Sequence, residues 1–280
     1  MEKPLISDSQ FLDLVTSLKE CGSAVLAFSG GVDSSFLLAV MKTAQMRILA
    51  VTAISETMPR QDKDASTALA GELEVEHRFI HTGELQSESF VRNTPERCFF
   101  CKDELFRNLK AIAKEEGFQH VFDGSNSDDM TDYRPGRRAA LLHAVRSPLA
   151  EQGLSKDRIR ALSRELGLKN WDRPSSPCLS SRIPYGRRIT AEALRRVGQA
   201  EEFIVSLGIR EARVRDYEEC ARIEVNEDDM HVLLNPTNRR IITEKLRTLG
   251  YHFVSMDLEG YRSGNMNRVL EDGNRARISN

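Results

Sequence analysis

Along the first 170 residues, apolar runs at strand length alternate with apolar positions at helical spacing. Ser23–Phe28 is a short continuous apolar run, the pattern of a strand buried on both faces, and Ser34–Met41 continues it as an apolar helix. Arg47–Ile54, Val75–Ile80 and His120–Phe122 predict three further strands. Pro59–Glu72 predicts a helix, with proline at its first turn and alanines through its body. Lys102–Glu116 places Leu105, Phe106, Leu109, Ile112 and Ala113 on one helical face and stops at Gly117. Arg158–Leu166 predicts a helix behind Ser155 as N-cap, ending at Gly167. Repeated β–α–β alternation predicts an α/β fold, a parallel sheet with helices on both faces.

The pattern changes between Trp171 and Thr190, where Pro174, Pro177, Pro184 and Gly186 break regular structure. This divides the chain into a first domain (1–172), a junction loop (173–189) carrying Cys178, and a smaller α+β domain (190–280). In the last, helices to about Leu207 and over Pro236–Leu249 accompany strands near Glu211–Arg215, Ala221–Val225 and Tyr251–Met256, a three-stranded sheet. No internal repeat or low-complexity segment interrupts this plan.

Charge and cysteine content narrow the class. Forty Lys plus Arg against forty-two Asp plus Glu leave a net charge of −2 over 280 residues, so no global basic excess points to nucleic acid as a partner. The longest apolar run, Ile48–Ile54 with Thr52 inside it, is far too short to span a bilayer, and residues 1–10 hold no hydrophobic stretch, so no membrane association and a cytoplasmic location are expected. The near-neutral total conceals an uneven distribution: residues 155–196 hold eleven Lys or Arg against four acids, and residues 216–229 seven acids against one Arg. Five cysteines (Cys21, Cys98, Cys101, Cys178, Cys220) are too few for a disulfide framework and leave buried thiols, a redox pair, a metal site or a nucleophile.

Two features carry chemistry. Ser29-Gly30-Gly31-Val32-Asp33-Ser34-Ser35 directly follows the first strand and opens the first helix. Its glycines let backbone N–H groups approach an anion, the helix end adds partial positive charge, and the three serine hydroxyls are able to donate to phosphate oxygens. Asp33 stands where a carboxylate could hold Mg²⁺ against phosphates. The loop lacks the Gly-Lys-Ser/Thr of a Walker A motif and the G-x-G-x-x-G spacing of a dinucleotide fold. The second feature is Cys98-Phe99-Phe100-Cys101, whose spacing brings both sulfurs to one centre at the entrance of a helix, where thiolates are favoured. An iron–sulfur, redox, zinc or packing role remains open on spacing alone.

The string S-G-G-V-D-S-S resembles the PP-loop of the N-type ATP pyrophosphatases, whose members cleave ATP between the α- and β-phosphates and adenylate an oxygen of the substrate. Further strings narrow the resemblance: Asp123–Asp129 (D-G-S-N-S-D-D), Asp132–Arg138, Pro177–Gly186 (P-C-L-S-S-R-I-P-Y-G), Arg213–Arg215, Ala221–Val225 and Asp257–Gly264. In that order, from about residue 20 to 270, they resemble the LarE family of sulfur transferases, which serve nickel-pincer nucleotide cofactor biosynthesis.

The resemblance implies a PP-loop domain, ATP and Mg²⁺ as cofactors, and adenylation of the carboxylates of pyridinium-3,5-biscarboxylic acid mononucleotide followed by their conversion to thiocarboxylates. It implies nucleotide binding by Ser29, Gly30, Gly31, Asp33, Ser34, Ser35, Gly124, Asn126, Asp128 and Arg182. It implies catalytic roles for Cys178, Glu201, Arg213, Arg215 and Glu224, the two glutamates near the reaction site as holders of a metal or phosphate-bound cation, with Asp229 a further candidate. In one family variant the cysteine matching Cys178 gives up its own sulfur; in another, it and a C-x-x-C pair hold a [4Fe–4S] cluster that delivers an extra sulfide. With Cys98, Cys101 and Cys178 present, the chain resembles the cluster variant, and an external sulfide donor is then expected. The alternatives are Cys178 as sacrificial donor, a tRNA thiolase, or a non-catalytic nucleotide-binding iron–sulfur scaffold. A homo-oligomer is compatible with the sequence but not specified by it.

Overall fold

The computed structural model describes residues 6–130, 135–262 and 264–268. Positions 132–134 and 263, parts of two of the strings above, lie outside them. By internal packing the chain forms two units, one running to Phe90 and resuming over Pro95–Ser176, the other comprising Val91–Thr94 and the chain from Pro177.

The first unit contains α1 (Ser9–Cys21), β1 (Ser23–Ala27), α2 (Val32–Thr43), β2 (Arg47–Ile54), α3 (Arg60–Glu72), β3 (His77–His81), α4 (Glu88–Val91, which ends in the other unit), α5 (Arg97–Glu115), β4 (His120–Phe122), α6 (Pro135–Leu142), α7 (Pro148–Glu151) and α8 (Lys156–Glu165). Its four strands are all parallel and lie in the order β3-β2-β1-β4. Alternation along the strands separates two apolar layers. Ala24, Leu26 and Ala50 pack with Leu14, Phe36, Leu37, Ile159 and Leu162 from α1, α2 and α8. Val25, Leu49 and Val51 pack with Phe106, Leu109 and Ala139 from α5 and α6. Helices therefore cover both faces, as the continuous apolar character of the strands requires.

Strands β2 and β4 have the bounds expected from sequence. Helix α8 starts behind Ser155, whose hydroxyl accepts the Arg158 N–H. Helix α1 was not expected: Asp8 caps it through the Phe11 N–H, and Phe11, Leu14, Leu18 and Cys21 form its buried stripe. Helix α5 starts at Arg97, not near Lys102, so Cys98 and Cys101 lie inside its first turns rather than at its entrance.

The second unit contains α9 (Ala191–Val205), β5 (Ala212–Tyr217), β6 (Cys220–Val225), α10 (Met230–Leu234), α11 (Pro236–Thr248) and β7 (Phe253–Met256). Strand β6 is central, antiparallel to β5 and parallel to β7. Val214, Ala221, Ile223 and Val225 face an apolar layer with Ala200, Ile204, Ile242 and Leu246. The opposite face of β5–β6 carries Arg213, Arg215, Arg222 and Glu224. Among the described residues, no helix is long and apolar enough to cross a membrane.

Candidate active site

In the parallel sheet the chain leaves β1 toward β2 and later returns to its other side as β4, so the strand order reverses between β1 and β4. Ligands of open α/β sheets bind at such a point, beyond the carboxyl ends of the strands. The loops emerging there are Ser29–Gly31, after β1, and Asp123–Ser127, after β4. The second meets the first turn of α2: a Cβ on Gly124 would stand 3.0 Å from the Ser34 backbone nitrogen and 3.1 Å from its Cα. Gly30 adopts φ +69°, and a Cβ there would stand 3.0 Å from the Ser66 backbone. Both positions therefore disfavour side chains, for different reasons: left-handed backbone with α3 alongside, and contact with the first turn of α2.

Gly31 caps α2 without any side-chain acceptor, leaving the first amides of the helix to other partners. The serines form a small network: Ser34 Oγ donates to the Gly31 carbonyl at 3.2 Å and lies 3.1 Å from Ser29 Oγ, and the Gly31 N–H donates to Ser29 Oγ at 3.3 Å. Ser35 Oγ and the Gly30 carbonyl both accept from Asn170 Nδ2, at 3.1 and 3.2 Å. Arg173 reaches the same carbonyl at 3.4 Å while pairing with Asp62 at 2.7 Å. Asp33 pairs with Lys156 through Oδ2, and its Oδ1 is buried without a hydrogen-bond partner. A carboxylate oxygen so placed, beside an open helix N-terminus, suits a hard cation such as Mg²⁺.

In the facing loop, Asn126 Oδ1 accepts the N–H groups of Asp128 and Asp129 at 3.0 and 3.3 Å, and Asp128 Oδ2 accepts the Lys156 N–H at 2.8 Å. Asp123 accepts from Ser125 and Ser147. Asn126 and Asp128 thus shape the loop and tie it to α8. Lys156, Asn170 and Arg173 were not singled out as site residues from sequence. Each lies more than a hundred residues from its partner near the loop, and no local pattern marks them.

The second unit gathers Cys178, Arg182, Glu201, Arg213, Arg215 and Glu224. Arg182, grouped above with nucleotide ligands, is 1% exposed and its guanidinium is committed within this unit. Nε and Nη2 donate to Glu201 at 2.8 Å each, and Nη1 donates to the carbonyls of Pro177 and Cys178 at 2.8 and 3.3 Å and to Ser181 Oγ at 2.7 Å. It braces the loop that presents Cys178. Burial works against its charge, but Glu201, together with Cys178 and Tyr261, leaves the guanidinium pKa raised. Glu201 also accepts the Val214 N–H at 2.8 Å, so both its oxygens are engaged by protein donors.

Arg213 and Arg215, two apart on β5, share a sheet face with their cross-strand partners Glu224 and Arg222. Glu224 is fully buried, accepting from Arg215 at 2.5 Å, Arg222 at 3.0 Å and Asn265 at 3.3 Å. Arg213 pairs with Glu211 at 2.5 Å and lies over the Tyr261 ring. Burial pushes the Glu211 carboxyl pKa up, against the pull of Arg213. Asp229 ends a short 3₁₀ turn (Glu227–Asp229) leading into α10.

The basic stretch is largely neutralised by acids from elsewhere within each unit. Lys156, Arg158, Lys169, Arg173, Arg182, Arg187 and Arg196 all have carboxylate partners. The charge surplus of that segment is thus chiefly structural.

Cys98 is exposed and Cys101 and Cys178 are half-buried. Cys98 and Cys101, three apart in a helix, share a face, as two ligands of one centre must. The Cys101 thiol lies 3.6 Å from Glu84 Oε1. Within the first unit, no third His, Cys, Asp or Glu joins the pair in a metal-holding group among the described residues. The thiol pair fits two ligand positions of an iron–sulfur cluster.

No protein-family model matches the chain. It is 38% identical over 264 residues to an uncharacterized protein of Synechocystis sp., spanning 94% of this chain and 98% of the relative. It is 36% identical over 259 residues to the pyridinium-3,5-bisthiocarboxylic acid mononucleotide synthase of Lactiplantibacillus plantarum, spanning 92% and 93%. An uncharacterized protein of Methanocaldococcus jannaschii is 29% identical over 239 residues, spanning 85% and 90%. Similarity of this degree to the synthase, over nearly the whole of both chains, makes this chain an enzyme of the LarE family of sulfur transferases.

Proposed function

We propose that this enzyme uses ATP to adenylate the carboxylates of pyridinium-3,5-biscarboxylic acid mononucleotide and replaces the AMP with sulfur, giving thiocarboxylates. The observation that carries this reading is the contact between the Ser29–Ser35 and Asp123–Asp129 segments at the β1–β4 reversal, in a chain 36% identical to the named synthase. A carboxylate is a poor electrophile. Attack of its oxygen on the α-phosphorus expels pyrophosphate and leaves an acyl adenylate, from which a sulfur nucleophile displaces AMP at the carbonyl carbon.

In this reading, the α2 amides with Ser29, Ser34 and Ser35 bind the phosphates, and Gly30, Gly31 and Gly124 keep the cleft open to them. Asp33 would hold Mg²⁺, which supplies charge neutralisation on the phosphates when bound. Arg213 and Arg215 hold the anionic substrate on the charged face of β5, while Arg182 and Glu201 fix the Cys178 loop. Cys98, Cys101 and Cys178 would hold a [4Fe–4S] cluster, which supplies a transferable sulfide when bound; three thiolates leave one iron open for it. The alternative donor is the Cys178 sulfur itself.

The test is anaerobic reconstitution with iron and sulfide, followed by incubation with the dicarboxylate, ATP and Mg²⁺. Formation of AMP, pyrophosphate and a thiocarboxylate product over several turnovers, with Cys178 intact by mass, is the expected result. Product limited to one sulfur per chain, with Cys178 converted to dehydroalanine, would assign the sacrificial route. Absence of AMP formation with this substrate would overturn the proposal.

A further inference from the structure

The Asp33–Lys156 pair places a lysine at the head of the phosphate loop that the motif does not contain. Lys156 is the first residue of α8, and its backbone is pinned: Asp128 accepts its N–H at 2.8 Å, the Ser127 N–H donates to the Leu154 carbonyl at 2.9 Å, and Ser155 caps the helix. From this anchor its side chain crosses to Asp33 in the first turn of α2. Both partners are partly open, 29% and 22% exposed, and the second oxygen of Asp33 has no hydrogen-bond partner. A lysine ammonium is a compact charge on a flexible stem, and phosphate oxygens and carboxylates compete for it on similar terms. A cation on Asp33 weakens that carboxylate's hold on Lys156 by direct charge competition.

We propose that Lys156 is a polyphosphate ligand that Asp33 holds in reserve: when Mg²⁺ occupies Asp33, the ammonium transfers from the carboxylate to the phosphates beyond the α-phosphate. This rests on the ATP reading above and assigns to it a specific cation. The pair keeps the empty loop neutral, and exchanging partners couples metal occupancy to the grip on the pyrophosphate leaving group.

Equilibrium binding of ATP, AMP and inorganic pyrophosphate, with Mg²⁺ and with EDTA, tests it on the full chain. Lys156→Met is expected to weaken ATP and pyrophosphate about tenfold while changing AMP less than about twofold, and Lys156→Arg to restore most of the loss. In EDTA, Asp33→Asn releases Lys156 and is expected to tighten pyrophosphate several-fold, a gain that the Asp33→Asn/Lys156→Met double variant loses. A merely structural pair would not produce that gain. Wild-type binding of ATP with an unchanged ATP-to-AMP ratio in Lys156→Met, or no gain from Asp33→Asn, overturns the inference alone. No ATP binding by the wild type overturns the ATP reading as well.

Discussion

Glu201 and Arg182 meet side-on through two hydrogen bonds of 2.8 Å, and the same carboxylate accepts the Val214 N–H at 2.8 Å. One side chain of α9 therefore joins the loop holding Cys178 to the strand holding Arg213 and Arg215. In Glu201→Gln, a nearly buried guanidinium loses its counter-charge. Breaking a buried pair from one side costs about 3–5 kcal/mol, so urea unfolding is expected to shift by an amount of that order. At urea concentrations where the variant stays folded, the alkylation rate of Cys178 is expected to change while that of Cys98 does not. Equal stability and equal alkylation would remove the bracing role.

The contact between Gly124 and Ser34 predicts a selective defect. Gly124→Ala adds a methyl group 3.0 Å from backbone that has little freedom to retreat, because it opens a buried helix. Displacement of the Gly124 loop from the first turn of α2 is expected to lower ATP affinity at least about tenfold with the unfolding midpoint changed little. Gly71→Ala is the control: nothing lies within 4 Å of its added methyl, and it sits in α3. Helix propensity predicts stabilisation by about 0.4–1 kcal/mol there and unaltered nucleotide binding.

Acid should loosen the first unit through His77. Burial lowers its pKa below the ordinary 6.5, and its Nε2 lies 2.8 Å from Thr52 Oγ1 between the rings of Phe28 and Phe79. The unfolded chain then takes up a proton at higher pH than the folded one. The stability from keeping this ring neutral is complete above about pH 6.5 and is lost as pH falls through the folded value. Urea midpoints measured from pH 7.5 down to about 5.5 should decline, and less steeply in His77→Gln. His120, whose pKa is also lowered by burial, leaves a residual slope in that variant.

On the β5–β6 face, Arg215→Met leaves Glu224 with Arg222 at 3.0 Å and Asn265 at 3.3 Å, so the buried carboxylate keeps donors. Loss of a charge-assisted contact to an anionic substrate is expected to raise KM about tenfold, with Arg215→Lys intermediate. Steady-state kinetics of AMP release would register this. An unchanged KM would place the substrate elsewhere.

The elements visible in the sequence were those whose information is local. Arg47–Ile54 and His120–Phe122 announce themselves by strand-length stretches rich in apolar residues, and α8 by Ser155 in the capping position before it. The start of α5 was not visible, because Arg97–Cys101 carries aromatics and thiols without an apolar repeat, and its helix is fixed by packing further along. The turn after β1 was legible because its backbone demands glycine at Gly30. Lys156 was seen only as one basic residue among many, since its meaning depends on Asp33, 123 positions away. Arg182 is the converse case. Its motif marked it as important, but only the fold shows that Glu201 and the loop carbonyls take up its donors.

The four residues Val91–Thr94 belong to the second unit although they interrupt the first. Val91 accepts the Ile189 N–H at 2.9 Å, Asn93 accepts the Gly186 N–H at 3.1 Å, and Asn93 Nδ2 donates to the Ile183 and Pro184 carbonyls at 3.1 and 2.8 Å. A fragment beginning at Pro177 would lack these partners. The two units are consequently not interchangeable cassettes. A single crossover at Ser176 would transplant the second unit without the tetrapeptide that completes it.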